Sequence, residues 1–483
     1  MRRMKKALAV ALSLTMVCAM FAGCGKKSED STDTGSKDTG KKTETTGSKD
    51  TGKTEDTPVA TKTEDTGKTL TIYCWNDEFQ KRFNSYYVPN AGTMLDGIEV
   101  NWVMTPSADN AYQNKLDEGL LGQESATEKI DLFLIEADYA LKYVNSDYTM
   151  NVKDLGITDA DIAEQYQYTN SIATDSTGAL KALSWQATPG LFIYRRSMAQ
   201  EVFGTDDPAK VQELLSDWDK FDAAAAKVNE VSGGKYTMLS GYDDAYRTFS
   251  NNVTKKWVDE NNTIQIDDNI WRWVDQTKAY TDNGYNAKTS LWSPEWGAGL
   301  GGAGTVFGYF YSTWGIAFTM RDYSLATSTA DGGKYEKGNG SFADWAACYG
   351  PQSFYWGGTW ICAAKGTDNA NLVADIMRKL TCDKEIAKAI TNGEDDYTNN
   401  KAAIAEIVAG GYQSAFLGGQ DHLSLLSDAA NKIDMSNTTP YDQGLNESFQ
   451  GAMKDYFEGT VDKATALENF YTDALTKYPD LKR

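Results

Sequence analysis

Histidine is almost absent: the 483-residue chain has one, His422. Imidazole is the commonest protein ligand of metals and the usual side chain that titrates near neutral pH. A metal centre is therefore not expected, and no other cofactor is implied. Zinc sites built on thiolates hold them at set spacings. The six cysteines (Cys18, Cys24, Cys74, Cys348, Cys362 and Cys382) follow no such pattern. Positive charge is in short supply, with 47 Lys and Arg against 68 Asp and Glu and a formal net charge of −21. Neutralising phosphates takes a basic patch, which argues against a nucleic-acid partner. The surplus acid favours solubility. No nucleophile elbow, metal-binding helix motif or other local catalytic signature occurs, and the body has no internal repeat.

What is there begins at the N-terminus. Arg2, Arg3, Lys5 and Lys6 precede an apolar stretch, residues 7–20, and then Phe21-Ala22-Gly23-Cys24. This is the layout of a secretory signal, and the apolar run is short for a membrane-spanning helix. The small residues before Cys24 suit a lipoprotein signal peptidase, after which the thiol takes lipid. An ordinary cleaved signal with an incidental cysteine is the other reading. A lipidated Cys24 anchors the protein on a membrane without spanning it. Loss of residues 1–23, with four positive charges and none negative, takes the net charge from −21 to −25.

Residues 24–68 are dominated by Thr, Gly, Ser, Lys, Asp and Glu, repeat variants of Lys-Asp-Thr-Gly and contain no aromatic side chain. Such a segment buries too little apolar surface to offset its ordering entropy. It is expected to be a flexible tether with an r.m.s. span of about 35–40 Å. A tether lets the body reach a partner in the same membrane; it serves equally as a spacer through a cell wall. Export permits disulfides. A body of this size does not need them, so Cys74, Cys348, Cys362 and Cys382 are expected to be free and buried.

Residues 69–483 are enough for two lobes rather than one core. Residues 69–75 alternate like a strand, 98–104 read as a second strand, and Tyr112, Leu116 and Leu120 carry helical spacing. Residues 130–135 are nearly all apolar, as in a strand covered on both faces of a parallel sheet. Strand, helix and strand in this order predict an α/β fold with an open sheet. Further helices are predicted over 216–231, around Ile270 to Tyr280 with Gly284 as stop, around Leu372 to Leu380 led by Asn369, and around Leu467 to Leu475. Residues 290–315 are glycine-rich and aromatic, reading as loops around a strand at 306–311.

This order of elements resembles the extracellular solute-binding proteins of sugar-importing ABC transporters, of which the maltodextrin-binding proteins are the best known. The similarity spans residues 70–479. Its strongest piece is residues 182–198, where Ala182-Leu183-Ser184-Trp185-Gln186 leads into Leu191-Phe192-Ile193-Tyr194-Arg195-Arg196. Trp218-Asp219-Lys220-Phe221 and Tyr355-Trp356-Gly357-Gly358-Thr359-Trp360-Ile361 are similar to two further family segments. The family's Leu-Pro is Leu183-Ser184 here, and residues 290–304 and 330–342 are extra material.

The resemblance implies a two-lobed periplasmic-binding-protein-like α/β fold with hinge crossings and a central ligand cleft. It implies one lobe from residues 69–181 and 314–365, a second from 188–310 and 371–483, and crossings at 182–187, 311–313 and 366–370. It also implies a monomer that captures a sugar, such as an oligosaccharide, outside the cell and hands it to membrane-embedded ABC permease subunits.

A pyranose has apolar C–H faces and polar hydroxyl edges, so its site needs flat rings together with carboxylates or amides. Aromatic residues make up 12% of the chain, and several tryptophans fall in polar or glycine-rich segments rather than on helical stripes. Trp75, Asn76 and Asp77 follow the first strand, on the side where open α/β sheets present ligands. Asp138 matches the family's sugar-binding carboxylate after the third strand, though a helix cap would use it equally well. Trp185 and Gln186 lie at the first crossing. Tyr242, Asp243 and Tyr246 match a loop that stacks on sugar. Trp314 follows the second crossing, and Trp356 with Gly357 and Gly358 faces the cleft in the family. Trp292 and Trp296 read as rim platforms or as anchors of a long loop.

Trp218, Trp257, Trp271 and Trp273 lie on or beside helical stripes and read as core or surface. His422 reads as exposed, and Asp243-Asp244 and Asp395-Asp396 as solvated pairs or caps. A surface-anchored glycoside hydrolase, with two carboxylates about 5–10 Å apart across the bond to be cut, and a binder of another solute class are the competing functions.

Overall fold

In a computed structural model of the protein, residues 64–483 are described. The signal segment, Cys24 and most of the tether lie outside them. The first lobe is built on a five-stranded sheet. Strands β1 (Thr69–Cys74), β2 (Glu99–Met104) and β3 (Leu132–Glu136) run parallel, with β1 in the middle. Strand β10 (Thr359–Ala363) joins antiparallel to β3 and is followed by β4 (Ala182–Ser184), giving the order β2-β1-β3-β10-β4. Leu132, Phe133, Leu134 and Ile135 are all buried, as expected of a strand covered on both faces.

The second lobe holds β5 (Gly190–Arg195) flanked antiparallel by β8 (Gly308–Ser312) and β9 (Trp345–Cys348). A parallel pair, β6 (Leu239–Gly241) and β7 (Asn286–Thr289), lies beside them. The core here is aromatic: Phe192 meets Phe310 at 4.9 Å and Trp218 stacks on Phe249 at 4.0 Å. Helix Trp218–Val231 starts where the sequence signals it. Asp217 accepts the Lys220 N–H at 2.9 Å, and the stripe of Trp218, Phe221, Ala225 and Val228 is buried. Helix Asp268–Asn283 stops at Gly284, whose φ of 73° is the left-handed cap glycine tolerates.

Several boundaries differ from expectation. Strand β9 pairs with β5, so residues 345–348 belong to the second sheet and not to the first lobe. Helix Ala370–Cys382 buries Leu372, Val373, Ile376 and Met377 with Leu70, Ile72 and Ile361, in the core of the first lobe. Its start is no crossing: Asn369 donates to the Thr69 carbonyl at 2.9 Å. After β8 the chain goes to β9 and enters the first sheet only at β10, so 311–313 is not a crossing into it either. The fold also begins before residue 69. Asp65 accepts the Asn371 and Leu372 N–H groups at 2.8 and 2.9 Å, capping that helix from the end of the tether. His422 is buried, and burial pushes its imidazole down to about 4 against the pull of Asp395 and Asp421. Asp396 is buried too. Trp218, Trp257 and Trp273 are core. The four described cysteines are free, and Cys74, Cys348 and Cys362 are buried.

Candidate functional site

The sheets are joined by residues 185–189 and 349–358, and residues 395–400 lie alongside. These segments are hydrogen-bonded to one another. The Ala187 N–H donates to the Tyr397 carbonyl at 2.9 Å, the Asn399 N–H to Trp185 at 2.8 Å, and the Trp356 N–H to Thr188 at 3.1 Å. They form the base of a cleft. Because β1 and β3 are parallel, their carboxyl ends open on the same side. Trp75 and Asn76 follow β1 there, and Glu136 closes β3. The segment Trp356-Gly357-Gly358 runs into β10 and Trp314 follows β8.

Together with Glu78, Gln186, Trp292, Phe318 and Thr359 these residues enclose about 250 Å³. Trp314 donates its Nε1–H to the Trp356 carbonyl at 2.9 Å, which fixes its indole. The two rings meet at 71° with centroids 5.3 Å apart. Trp292 packs on both, 6.1 Å from Trp314 and 6.0 Å from Trp356. It is 50% exposed and held at φ 67°, a left-handed conformation that costs a bulky residue about 1–2 kcal/mol. Trp75, at the end of β1, stands edge-on to Tyr112 at 5.4 Å. A side chain at Gly357, where φ is 68°, would put its Cβ 3.3 Å from Trp314 Nε1 and 3.4 Å from Glu136 Oε1. Glycine is what lets backbone, indole and carboxylate converge here.

The cleft widens into a polar groove of about 550 Å³ that shares Trp75, Glu136 and Trp292. The first lobe adds Asn110, Gln113 and Asp138, and helix Asp442–Phe457 of the second adds Gln443 and Glu447, one turn apart. Gln113 donates across to Gln443 at 3.5 Å. Asp138 accepts both terminal nitrogens of Arg247, each at 2.5 Å. This pair joins the end of β3 to helix Tyr246–Ser250 of the other lobe. Burial opposes the charge on Arg247, yet Asp138 holds the guanidinium more firmly protonated than usual. Burial, then the charge of Asp138, pushes the Glu136 carboxyl up to about 8, and burial with Asp396 pushes Glu78 up to about 7. Rings and oxygen acceptors lining one cleft can grip a molecule that has apolar faces and polar edges.

Of the predicted site residues, Trp75, Asn76, Gln186, Trp292, Trp314, Trp356, Gly357 and Gly358 line the cleft, and Asp138 lines the groove. Others do not. Trp185 is buried and stacks on Phe79 at 5.5 Å. Trp296 is buried beneath the long loop, so of its two reading options the anchor applies. Tyr242 is buried against Phe457, and Tyr246 is buried with its hydroxyl on Asn446. Asp77 points to solvent and pairs with Lys81 at 2.9 Å. Asp243 lines neither cavity; burial raises its carboxyl pKa. Glu78, Gln113, Arg247, Gln443 and Glu447 were missed. Glu136 ends a strand, and that position was signal enough to have chosen it with Asp138. Arg247 and Glu447 carried no local signal, because the other lobe brings their partners.

The sequence profile described as bacterial extracellular solute-binding protein matches residues 77–413. Among curated proteins, none matches the chain by sequence. Solved structures share the fold. The crystal structure of an extracellular solute-binding protein of family 1 is 18% identical with a TM-score of 0.68, over 84% of this chain and 99% of that one. The ABC transporter associated binding protein of B. animalis subsp. lactis Bl-04, in complex with β-1,6-galactobiose, is 17% identical with a TM-score of 0.62, over 86% and 98%. The sugar-binding protein MalE of Xanthomonas citri is 13% identical with a TM-score of 0.63, over 85% and 98%. With two lobes, a cleft at their crossing and a profile that spans most of the body, this chain belongs to the bacterial extracellular solute-binding proteins.

Proposed function

We propose that the protein binds a carbohydrate, an oligosaccharide in particular, and delivers it to a membrane-embedded ABC permease by closing its lobes, while Cys24 anchors it by lipid to the outer face of the cytoplasmic membrane. One observation carries this reading. The indoles of Trp292, Trp314, Trp356 and Trp75 line one cleft together with the carboxyl groups of Glu78 and Glu136. Ring faces suit pyranose C–H surfaces, and carboxylates accept hydroxyl hydrogens. The polar groove beyond gives room for further sugar units. The fold neighbours that carry sugars in their descriptions, among them the galactobiose complex, support the same reading.

Contacts from both lobes to one ligand favour the closed state by the ligand's difference in affinity for closed over open. A single unit in solution is enough for this. The protein is one of a family of binders, and no bond in the sugar has to break. Calorimetry against a panel of neutral, amino and acidic oligosaccharides tests the reading. Binding with intact sugar recovered is expected; binding of no glycan, or turnover of a bound one, would sink it.

A further inference from the structure

The indole cluster of the cleft is a corner rather than a flat platform. Trp314 and Trp356 stand at 71°, and Trp292 covers both. Two carboxylates, Glu136 and Glu78, line the same space. Glu136 commits Oε2 to the Asp138 N–H at 2.8 Å, while Oε1 lies beside the Trp314 indole at Gly357. No lysine or arginine lines this space or the adjoining groove, whose own acids are Glu136, Asp138 and Glu447. Asp138 is already neutralised by Arg247. Of the remaining acids only Glu78 has an ion pair within 4 Å, to Arg82 at 3.9 Å, and Arg82 serves Glu394 at 2.9 Å and Asp396 as well; Arg247 and Lys477 act on Glu136 and Glu447 only from farther off.

Angled indole faces attract a cation through their quadrupoles, and a carboxylate beside them completes the attraction with a charge-assisted hydrogen bond. An anionic substituent finds no lysine or arginine in the lining to pair with. A neutral hydroxyl uses the acids but gains nothing from the angled rings. We propose that this corner receives a protonated amino group carried by the sugar, so that amino sugars are preferred over neutral glycans and uronic-acid glycans are rejected. The proposal rests on the carbohydrate reading above and narrows it. The raised carboxyls fit the role. Burial keeps protons on the empty site, and an arriving ammonium replaces them, so binding releases protons.

The test is calorimetry on the full secreted chain. The probes are glucosamine and galactosamine with their α-1,4 and β-1,4 dimers and trimers, the matching hexose, N-acetyl and uronic-acid series, and spermidine. Amino glycans are expected to bind at least about tenfold tighter than their neutral partners. In Glu136→Gln, which can still accept the Asp138 N–H, that preference should shrink several-fold. Neutral glycans binding as tightly as amino ones would overturn this proposal and leave the carbohydrate reading standing. Spermidine binding without any glycan, or no binding at all, would overturn both.

Discussion

Glu136 shows how a single side chain couples the cleft to stability. Its carboxyl is raised from 4.5 to about 8, chiefly by burial. Between those values the folded protein holds a proton that the unfolded chain has released. Its favourable contribution is therefore complete below pH 4.5 and is lost as pH rises through about 8. Urea unfolding at pH 5 and pH 9 should show wild type losing about 2–4 kcal/mol more across that interval than Glu136→Gln. Equal losses would mean the carboxyl is not held in that state. Trp356→Ala and Trp314→Ala should each weaken glycan binding about tenfold or more, because each removes a ring from the wall. Trp185→Phe, a change in the core against Phe79, should lower stability and leave affinity alone. At this scale much of the site was legible. Tryptophans off the helical stripes, such as Trp75, Trp314 and Trp356, proved to line the cleft. Trp185 and Trp296 stand in equally polar-looking segments and are buried, since burial depends on what packs over a residue and not on its neighbours in sequence.

Helices and strands with strong periodicity were readable within about four residues, because one apolar stripe has one way to turn inward. The end of β3 and helix Tyr246–Ser250 meet through Asp138 and Arg247, the bidentate pair between lobes. Asp138→Asn leaves a partly buried guanidinium without its counter-charge, which should cost about 1–3 kcal/mol given the partial exposure of both groups. If the pair also holds the lobes together, the ligand-free variant should have a larger radius of gyration by small-angle scattering than wild type, and an unchanged radius would assign the pair to local stability alone. The turn before β10 is a second sensitive element. Gly358 sits at φ 112°, and a Cβ there would lie 3.0 Å from the Trp360 ring. Gly358→Ala should lower the denaturant midpoint by about 1–3 kcal/mol of stability and weaken ligand binding with it.

Across the whole molecule, residues of both lobes line the groove, so the proposed function links binding to closure. A saturating sugar at a hundred times its Kd should stabilise the protein by about 2.7 kcal/mol, seen as a raised Tm. It should also shrink the scattering radius if the lobes close further. Sequence by itself determined the α/β class, the core stripes and the signal layout, because these follow from composition, local periodicity and short motifs read along the chain, and its resemblance to known segments pointed to the family. Only the tertiary structure decided that β9 joins β5, that helix Ala370–Cys382 belongs to the first lobe, and that Asp65 caps it. It alone paired Asp138 with Arg247 and drew the carboxylates to the indole corner. The physical reason is separation along the chain. Those contacts join residues more than a hundred positions apart, and their energy exists only once the sheets have assembled and excluded water around them.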